Sequence, residues 1–237
     1  MNDYEYLQQN YQPLLYITHS AKLLNLPQET ICVAKALFHK FYAARNIYVF
    51  DPYLVGMTSL YLASKIKEDL CKIRDVITTC FRVLHPEVPF LKIGTEYWLL
   101  RESVVKCEMI LLRTLNFEIC FDLPFAYFFN FCISIVSSVV NAEKWIVSVA
   151  QLGWMLLNDC FYVRLCTSYS AFEISGGCLF FALEVLNLTS ECVITKNEPK
   201  FELYTIFDFF SLSESTCKAI CASLLILYET QDRLSTQ

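Results

Sequence analysis

Lys65 and Glu108 are charges set where apolar residues are expected. Lys65 stands in Leu62-Ala63-Ser64-Lys65-Ile66, and Glu108 in Val104-Val105-Lys106-Cys107-Glu108-Met109-Ile110-Leu111-Leu112. A lysine fully buried without a partner costs on the order of several kcal/mol, so each charge needs solvent or a counter-charge. The plainer reading, which spacing alone favours, is a lysine snorkelling at a helix end and an exposed carboxylate paired with Arg101 or Lys106. The sharper reading pairs Lys65 with Glu108 across two helices and leaves both partly open to an incoming partner. That chemistry is recognition by charge and hydrogen bond, with no proton or group transferred.

Other chemistries find no residues to carry them. Only 5 of 237 residues are glycine, and the only neighbouring pair is Gly176-Gly177. A phosphate-cradling loop needs clustered glycines so that backbone can approach the anion, and no GxGxxG, GxxxxGK or GxSxG can be written. Three histidines, His19, His39 and His85, make neither HExxH nor a His-rich metal site. Glu68, Asp69 and Asp75 scatter near helix ends, as solvated carboxylates do. A cysteine nucleophile needs a nearby base and an electropositive setting, whereas most of the cysteines lie among apolar residues. The expectation is no catalytic residue, no metal and no cofactor.

Lys plus Arg number 19 against 24 Asp plus Glu, for a net charge of −5. A mildly acidic chain lacks the footprint of a nucleic-acid binder. Met1-Asn2-Asp3-Tyr4-Glu5 has neither the basic region nor the apolar run of a signal peptide. The 12 cysteines sit inside apolar runs such as Phe131-Cys132-Ile133, where a free thiol behaves as a small buried hydrophobe. Reduced thiols and an intracellular place, nucleus and/or cytoplasm, are expected, and Asn187-Leu188-Thr189 then spells a sequon by chance. Leu123 to Ala142 carries no charge and is long enough to span a bilayer. Pro124, Asn130, Ser134, Ser137, Ser138 and Asn141 interrupt it, and a buried helix reads the same way by hydropathy.

Positioning Lys65 and Glu108 falls to helices. Tyr4 to Leu24 has apolar residues at helical spacing, Pro27 opens a second helix to about Arg45, and Asp51-Pro52 caps and opens a third to about Ile66. The third is apolar nearly all round, as an enclosed helix is. A fourth runs from Cys71 to Leu84, and a fifth from Thr95 to Leu115. The pattern then restarts: Leu123 to Val140, Ala142 to Phe161, Ala171 to Leu188 behind a Ser170/Glu173 capping box, a short Phe201 to Phe210, and Glu214 to Arg233. Thr58 to Ile66 aligns with Gly177 to Val185 at an offset of 119 residues (182 minus 63 for the shared alanines), about half the chain. The reading is an all-α chain of two tandem five-helix domains, 1–121 and 122–237. At the place of Lys65 the second half has Glu184, so the lysine serves something found only in the first.

These residues carry a family resemblance. Leu62-Ala63-Ser64-Lys65-Ile66-Lys67-Glu68 resembles the LASK-[VIF]-E-E signature of the cyclin box. Thr30 to Ala34 with Phe38 to Tyr42 resembles its second helix, and Lys106 to Ile119 its fifth helix and exit. Within the cyclins, Asp51-Pro52-Tyr53-Leu54, Ile73 to Ile77 and Tyr97 to Glu108 are most similar to the cyclin Q type, with the transcription-type cyclins C, H, K, L and T as near neighbours. The resemblance implies two tandem cyclin boxes and a regulatory subunit, not an enzyme. Such a subunit binds and activates a cyclin-dependent Ser/Thr kinase, of the cyclin-dependent kinase 10 type, by docking on its C-helix and activation segment. It places Lys65 and Glu108 at the kinase-facing edge, with Ile66, Glu68, Leu112, Phe117 and Ile119 among the contacts. Neither nucleic acid nor membrane is implied.

Departures qualify it. Lys67 stands at the first acid of the usual Glu-Glu pair, His39 where cell-cycle cyclins have aspartate, and no Met-Arg-Ala-Ile-Leu run occurs in the first helix. Their arginine–aspartate buttress and substrate-docking patch are therefore missing. Few residues precede the first helix and no RxxL motif occurs, which speaks against a periodically destroyed mitotic cyclin. The alternatives are a non-activating cyclin-fold adaptor of the transcription machinery and, from another class, a helical membrane protein resting on Leu123 to Ala142.

Overall fold

The computed structural model describes residues 3–88, 91–138, 142–188 and 210–235. Among them the protein is all-α. It falls into two compact units, Met1–Phe121 and Asp122–Gln237.

The first unit holds α1 (Asp3–Leu23), α2 (Gln28–Ala44), α3 (Pro52–Ile66), α4 (Ile73–Leu84) and α5 (Thr95–Thr114). The start of α3 is written in its sequence. The Asp51 carboxylate accepts from the Leu54 N–H at 2.8 Å, and Pro52 fills the first turn, where no intrahelical donor is needed. From there Val55 to Leu60 and Leu62 to Ser64 are all buried, because α3 packs against α1, α2, α4 and α5. The small residues make that enclosure possible. A Cβ on Gly56 would stand 3.2 Å from Ile17 Cγ1, and the Thr58 and Ser64 hydroxyls donate to carbonyls within their own helix.

Helix α2 is as enclosed as α3, which the sequence reading did not anticipate. Thr30 to His39 are buried without a break, including Lys35 and His39 at 1% and 0% exposure. His39 Nδ1 lies 2.8 Å from the Tyr6 hydroxyl, and this buried contact joins α2 to α1.

The second unit holds α6 (Phe125–Ser138), α7 (Ile146–Asp159), α8 (Leu165–Ser168), α9 (Ala171–Val185) and α10 (Glu214–Ser235). The single helix expected over Ala142 to Phe161 is broken. A 3-10 turn, Ala142–Lys144, precedes α7, and a second, Cys160–Tyr162, follows it. Cys160 and Phe161 in that second turn, and Leu165 after it, are all buried. Four-residue α8 is too short to leave a readable period. The expected short helix Phe201 to Phe210 lies outside the described residues except for Phe210. No helix among the described residues is long and apolar enough to cross a membrane.

Helix α9 repeats α3 in frame. Both have 15 residues, and their starts, Pro52 and Ala171, and ends, Ile66 and Val185, are each 119 apart. Their capping side chains, Asp51 and Ser170, keep the offset, as do Glu68 and Asn187, which follow the helices in the left-handed region. Helices α5 and α10 also start 119 apart. The expected Ser170/Glu173 capping box is present: Ser170 Oγ receives the Glu173 N–H, and the Glu173 carboxylate receives the Ser170 N–H at 2.8 Å. α9 packs against α6, α7, α8 and α10 so closely that a Cβ on Gly177 would come within 2.7 Å of Ile220. The cysteines among the described residues are free thiols, as the sequence reading expected.

Candidate functional site

The last turn of α3 carries the chain from the buried Leu62-Ala63-Ser64 to the surface. Lys65 emerges there, and Glu108 comes up to it from the middle of α5. Lys65 Nζ donates to Glu108 Oε1 at 2.7 Å and lies 4.1 Å above the Tyr61 ring. Tyr61 is one helical turn before Lys65, so the cation sits on its face while reaching the acid. The lysine side chain is 40% exposed and the glutamate 12%. Burial alone would pull the Lys65 ammonium down. The hydrogen bond and charge of Glu108, helped by Tyr61, outweigh that and hold it above the ordinary lysine range.

The geometry settles which charge Lys65 meets. Lys65 does not snorkel alone, and the residues suggested as partners of Glu108 are occupied elsewhere: Lys106 pairs with Glu102 at 2.6 Å, and Arg101 lies 5.5 Å from the Trp98 ring.

The other residues singled out fall into two groups, one at each helix exit. Ile66, half-buried, and Glu68, exposed, lie at the exit of α3. Leu112, Phe117 and Ile119 lie at the exit of α5 and are tied through backbone: the Phe117 N–H donates to Leu112 O at 2.9 Å, and the Ile119 N–H to Phe117 O at 3.0 Å. The contact that joins the groups is Lys65–Glu108. Leu112 and Ile119 are half-buried, while Phe117 is 59% exposed. Arg45, just past α2, donates to the last residue of α5, Thr114, at 3.2 Å.

Both exits use backbone that side-chain-bearing residues seldom adopt. Glu68 has φ 61°, and Asn116 and Phe117 have 51° and 59°. Asparagine tolerates the left-handed region; glutamate and phenylalanine there carry strain of roughly 1 kcal/mol or more each. The result is one acid and one large ring exposed, one at each exit. Sequence reasoning missed Tyr61, whose signal was its spacing of four from Lys65. It also missed Leu70, 80% exposed on the same connection as Glu68, and the Lys67–Glu29 pair at 2.7 Å. No period or cap marks those two. Among the described residues no group of three His, Cys, Asp or Glu could hold a metal. A cavity of about 330 Å³ lies on other residues of the unit, Tyr16, Tyr53, Phe81 and Leu99 among them, and touches none of those above. The arrangement offers charge, hydrogen bonds and apolar surface at an edge: equipment for holding another molecule.

Comparison with known proteins bears on which one. Residues 7–120 match the family described as "Cyclin, N-terminal domain". Cyclin pch1 of Schizosaccharomyces pombe is 28% identical over 171 residues, covering 71% of this chain and 48% of its own length. Cyclin-L1 of Xenopus laevis is 26% identical over 211 residues, 87% and 39% of the two chains. Cyclin-K of Homo sapiens is 29% identical over 147 residues, 62% and 23%. The chain thus spans half or less of the length of these relatives. Among solved structures, a chain of the yeast RNA Pol II CTD kinase CTDK-1 complex superposes with a TM-score of 0.72 at 16% identity, covering 96% of this chain and 67% of that one. A chain of the yeast TFIIK (Kin28/Ccl1/Tfb3) complex gives 0.62 at 17% identity, covering 92% and 84%. At such identities the likeness is one of fold.

Proposed function

We propose that the first unit of this chain, whose residues 7–120 match the cyclin N-terminal domain family, is a cyclin box, and that the protein is the regulatory subunit of a cyclin-dependent Ser/Thr protein kinase. The observation that carries the proposal is the Lys65–Glu108 pair, its lysine exposed and its acid largely covered, in a unit whose α3 and α5 both end in strained exits. At the position matching Lys65 the second unit has an exposed Glu184, and at that matching Glu108 a buried Leu227. The pair therefore belongs to no requirement of the shared frame.

The kinase C-helix lies against Ile66, Leu112, Phe117 and Ile119. Lys65 and Glu108 meet its backbone carbonyls and amides, and Glu68 faces the activation segment. The subunit performs no chemistry. By binding one kinase conformation more tightly it shifts the population toward the state with the C-helix inward, where the kinase's glutamate reaches its catalytic lysine. Moving that balance from 1:99 to 99:1 takes a preference of about 10⁴-fold, roughly 5.5 kcal/mol. Apolar burial at this edge is the main source of such energy, and the charges set register.

The kinase is of the cyclin-dependent kinase 10 type, the subunit of the cyclin Q type, and the second unit a further cyclin box. The compartment is the nucleus and/or the cytoplasm. The relatives include cyclins named K, L and T, which favours work in transcription. The test is affinity purification of the full chain with identification and assay of whatever kinase accompanies it. A bound, active kinase is expected. A kinase held without activation would point to the adaptor reading, and no kinase at all would end the proposal.

A further inference from the structure

The connection from α3 to α4 is held in an unusual way. Glu68 occupies the left-handed region, with its N–H bonded to Lys65 O at 3.3 Å, and its side chain is exposed. Both residues beside it are anchored on the first turn of α2. Lys67 Nζ meets Glu29 Oε2 at 2.7 Å, and the Thr30 hydroxyl donates to the Asp69 carboxylate. Thr30 is fully buried, so that second anchor reaches into the packed part of the unit.

The second unit makes the same turn without any of this. Its counterparts of Lys67, Glu68 and Asp69 are Leu186, Asn187 and Leu188, and those of Glu29 and Thr30 are Ser148 and Val149. Asn187 has φ 52°, and asparagine accepts that conformation more readily than glutamate. The backbone path therefore needs neither a glutamate nor an anchor on each side. A residue kept in a sparsely populated conformation by over-determined neighbours marks a place where side-chain direction matters.

Resting on the docking reading above, we propose that Glu29, Thr30, Lys67 and Asp69 are positioning residues that hold Glu68 pointing out toward the kinase. Lys67, which departs from the usual Glu-Glu pattern, acts inward on Glu29 and does not itself touch the kinase. Reading the corner this way explains how a cation is tolerated beside a surface that elsewhere in the family carries two acids: its charge is neutralised within the chain.

The experiment measures the affinity of the full chain for the kinase that co-purifies with the wild type, by calorimetric titration, with a thermal melt of each variant. Glu29→Lys and Lys67→Glu each place like charges against one another, and each is expected to weaken binding about three- to fivefold. The double exchange Glu29→Lys with Lys67→Glu restores the pair and returns affinity to within about twofold of wild type. On the second anchor, Thr30→Val weakens binding while Thr30→Ser retains it. If the double exchange stays as weak as Lys67→Glu, then Lys67 is a direct kinase contact and the proposal fails. If neither single change alters affinity while the wild type binds, the anchoring has no role and the proposal fails too. A wild-type chain that recovers no kinase overturns the docking reading itself, an outcome distinct from both.

Discussion

Helices α3 and α9 have the same length, the same kind of side-chain cap and the same left-handed exit, 119 residues apart. Around that shared frame the two units differ in charge. The stretch up to Phe121 has 13 Lys and Arg against 12 Asp and Glu, for +1; the stretch from Asp122 has 6 against 12, for −6. The first unit places ion pairs at the exit of its central helix, Lys65–Glu108 and Lys67–Glu29. The second places Glu184, Val185, Leu186 and Asn187 there. Packing demands repeat because a helix enclosed by neighbours needs small residues and a clean cap wherever it occurs. The ion pairs do not repeat, because nothing in the packing asks for them.

The strongest way to break this contrast is to reverse the charge that distinguishes the units. Lys65→Glu sets a like charge against Glu108 and is expected to weaken kinase binding by about 30-fold or more, roughly 2 kcal/mol. Glu184→Lys, the matching change in the second unit, is expected to leave binding within about twofold. Titration against the co-purified kinase reads both, with circular dichroism to show the helices intact. Equal losses in the two would mean that the second unit also docks.

Next in size is the packing of the central helices. Gly177→Ala drives a methyl to within 2.7 Å of Ile220, whereas Gly56→Ala brings one only to 3.2 Å from Ile17. The first is expected to cost about 1–3 kcal/mol in chemical denaturation, the second less than about 1. A reversed order would show that α9 has more room to adjust than α3.

A smaller effect has opposite signs in two assays. Glu68→Asn puts in the first unit the residue that the second already uses at Asn187. Stability is expected to rise by about 0.5 kcal/mol as strain is relieved, while affinity for the kinase falls about threefold. Stability and affinity falling together would mean that Glu68 is simply a structural residue.

The smallest effect is in the pH dependence. The folded state holds Lys65 above its ordinary range. Its contribution is therefore fully present below the unfolded value of about 10.4 and is lost as pH rises through the folded value. The gap in melting temperature between wild type and Lys65→Met should be flat from about pH 6 to 9 and close above about pH 10.5. A gap that closes nearer neutrality would assign it to another group.

Lys65 and Glu108 were legible because each broke an apolar run, and a charge in such a run must be answered somewhere. Their mutual contact depends on how α3 and α5 are turned about their axes, which neither run records. The same holds for Lys67–Glu29 and for the buried Tyr6–His39 pair: the members lie on different parts of the chain, 38 and 33 residues apart. Helix α7 was read too long because Cys160 and Phe161 continue an apolar pattern that the chain satisfies with a 3-10 turn instead.

By itself the sequence determined what is short-range: the Asp51-Pro52 start, the Ser170/Glu173 box, the enclosed character of α3 and α9, and the spacing that repeats them. Caps and periodicity act over three or four residues, so they can be read along the chain. Only the tertiary structure decided which charges meet, that Lys35 and His39 are buried at 1% and 0% exposure, and that Glu68, Leu70 and Phe117 stand outward. Those outcomes depend on the rotation and approach of whole helices, which the summed packing of the core sets and no local stretch encodes.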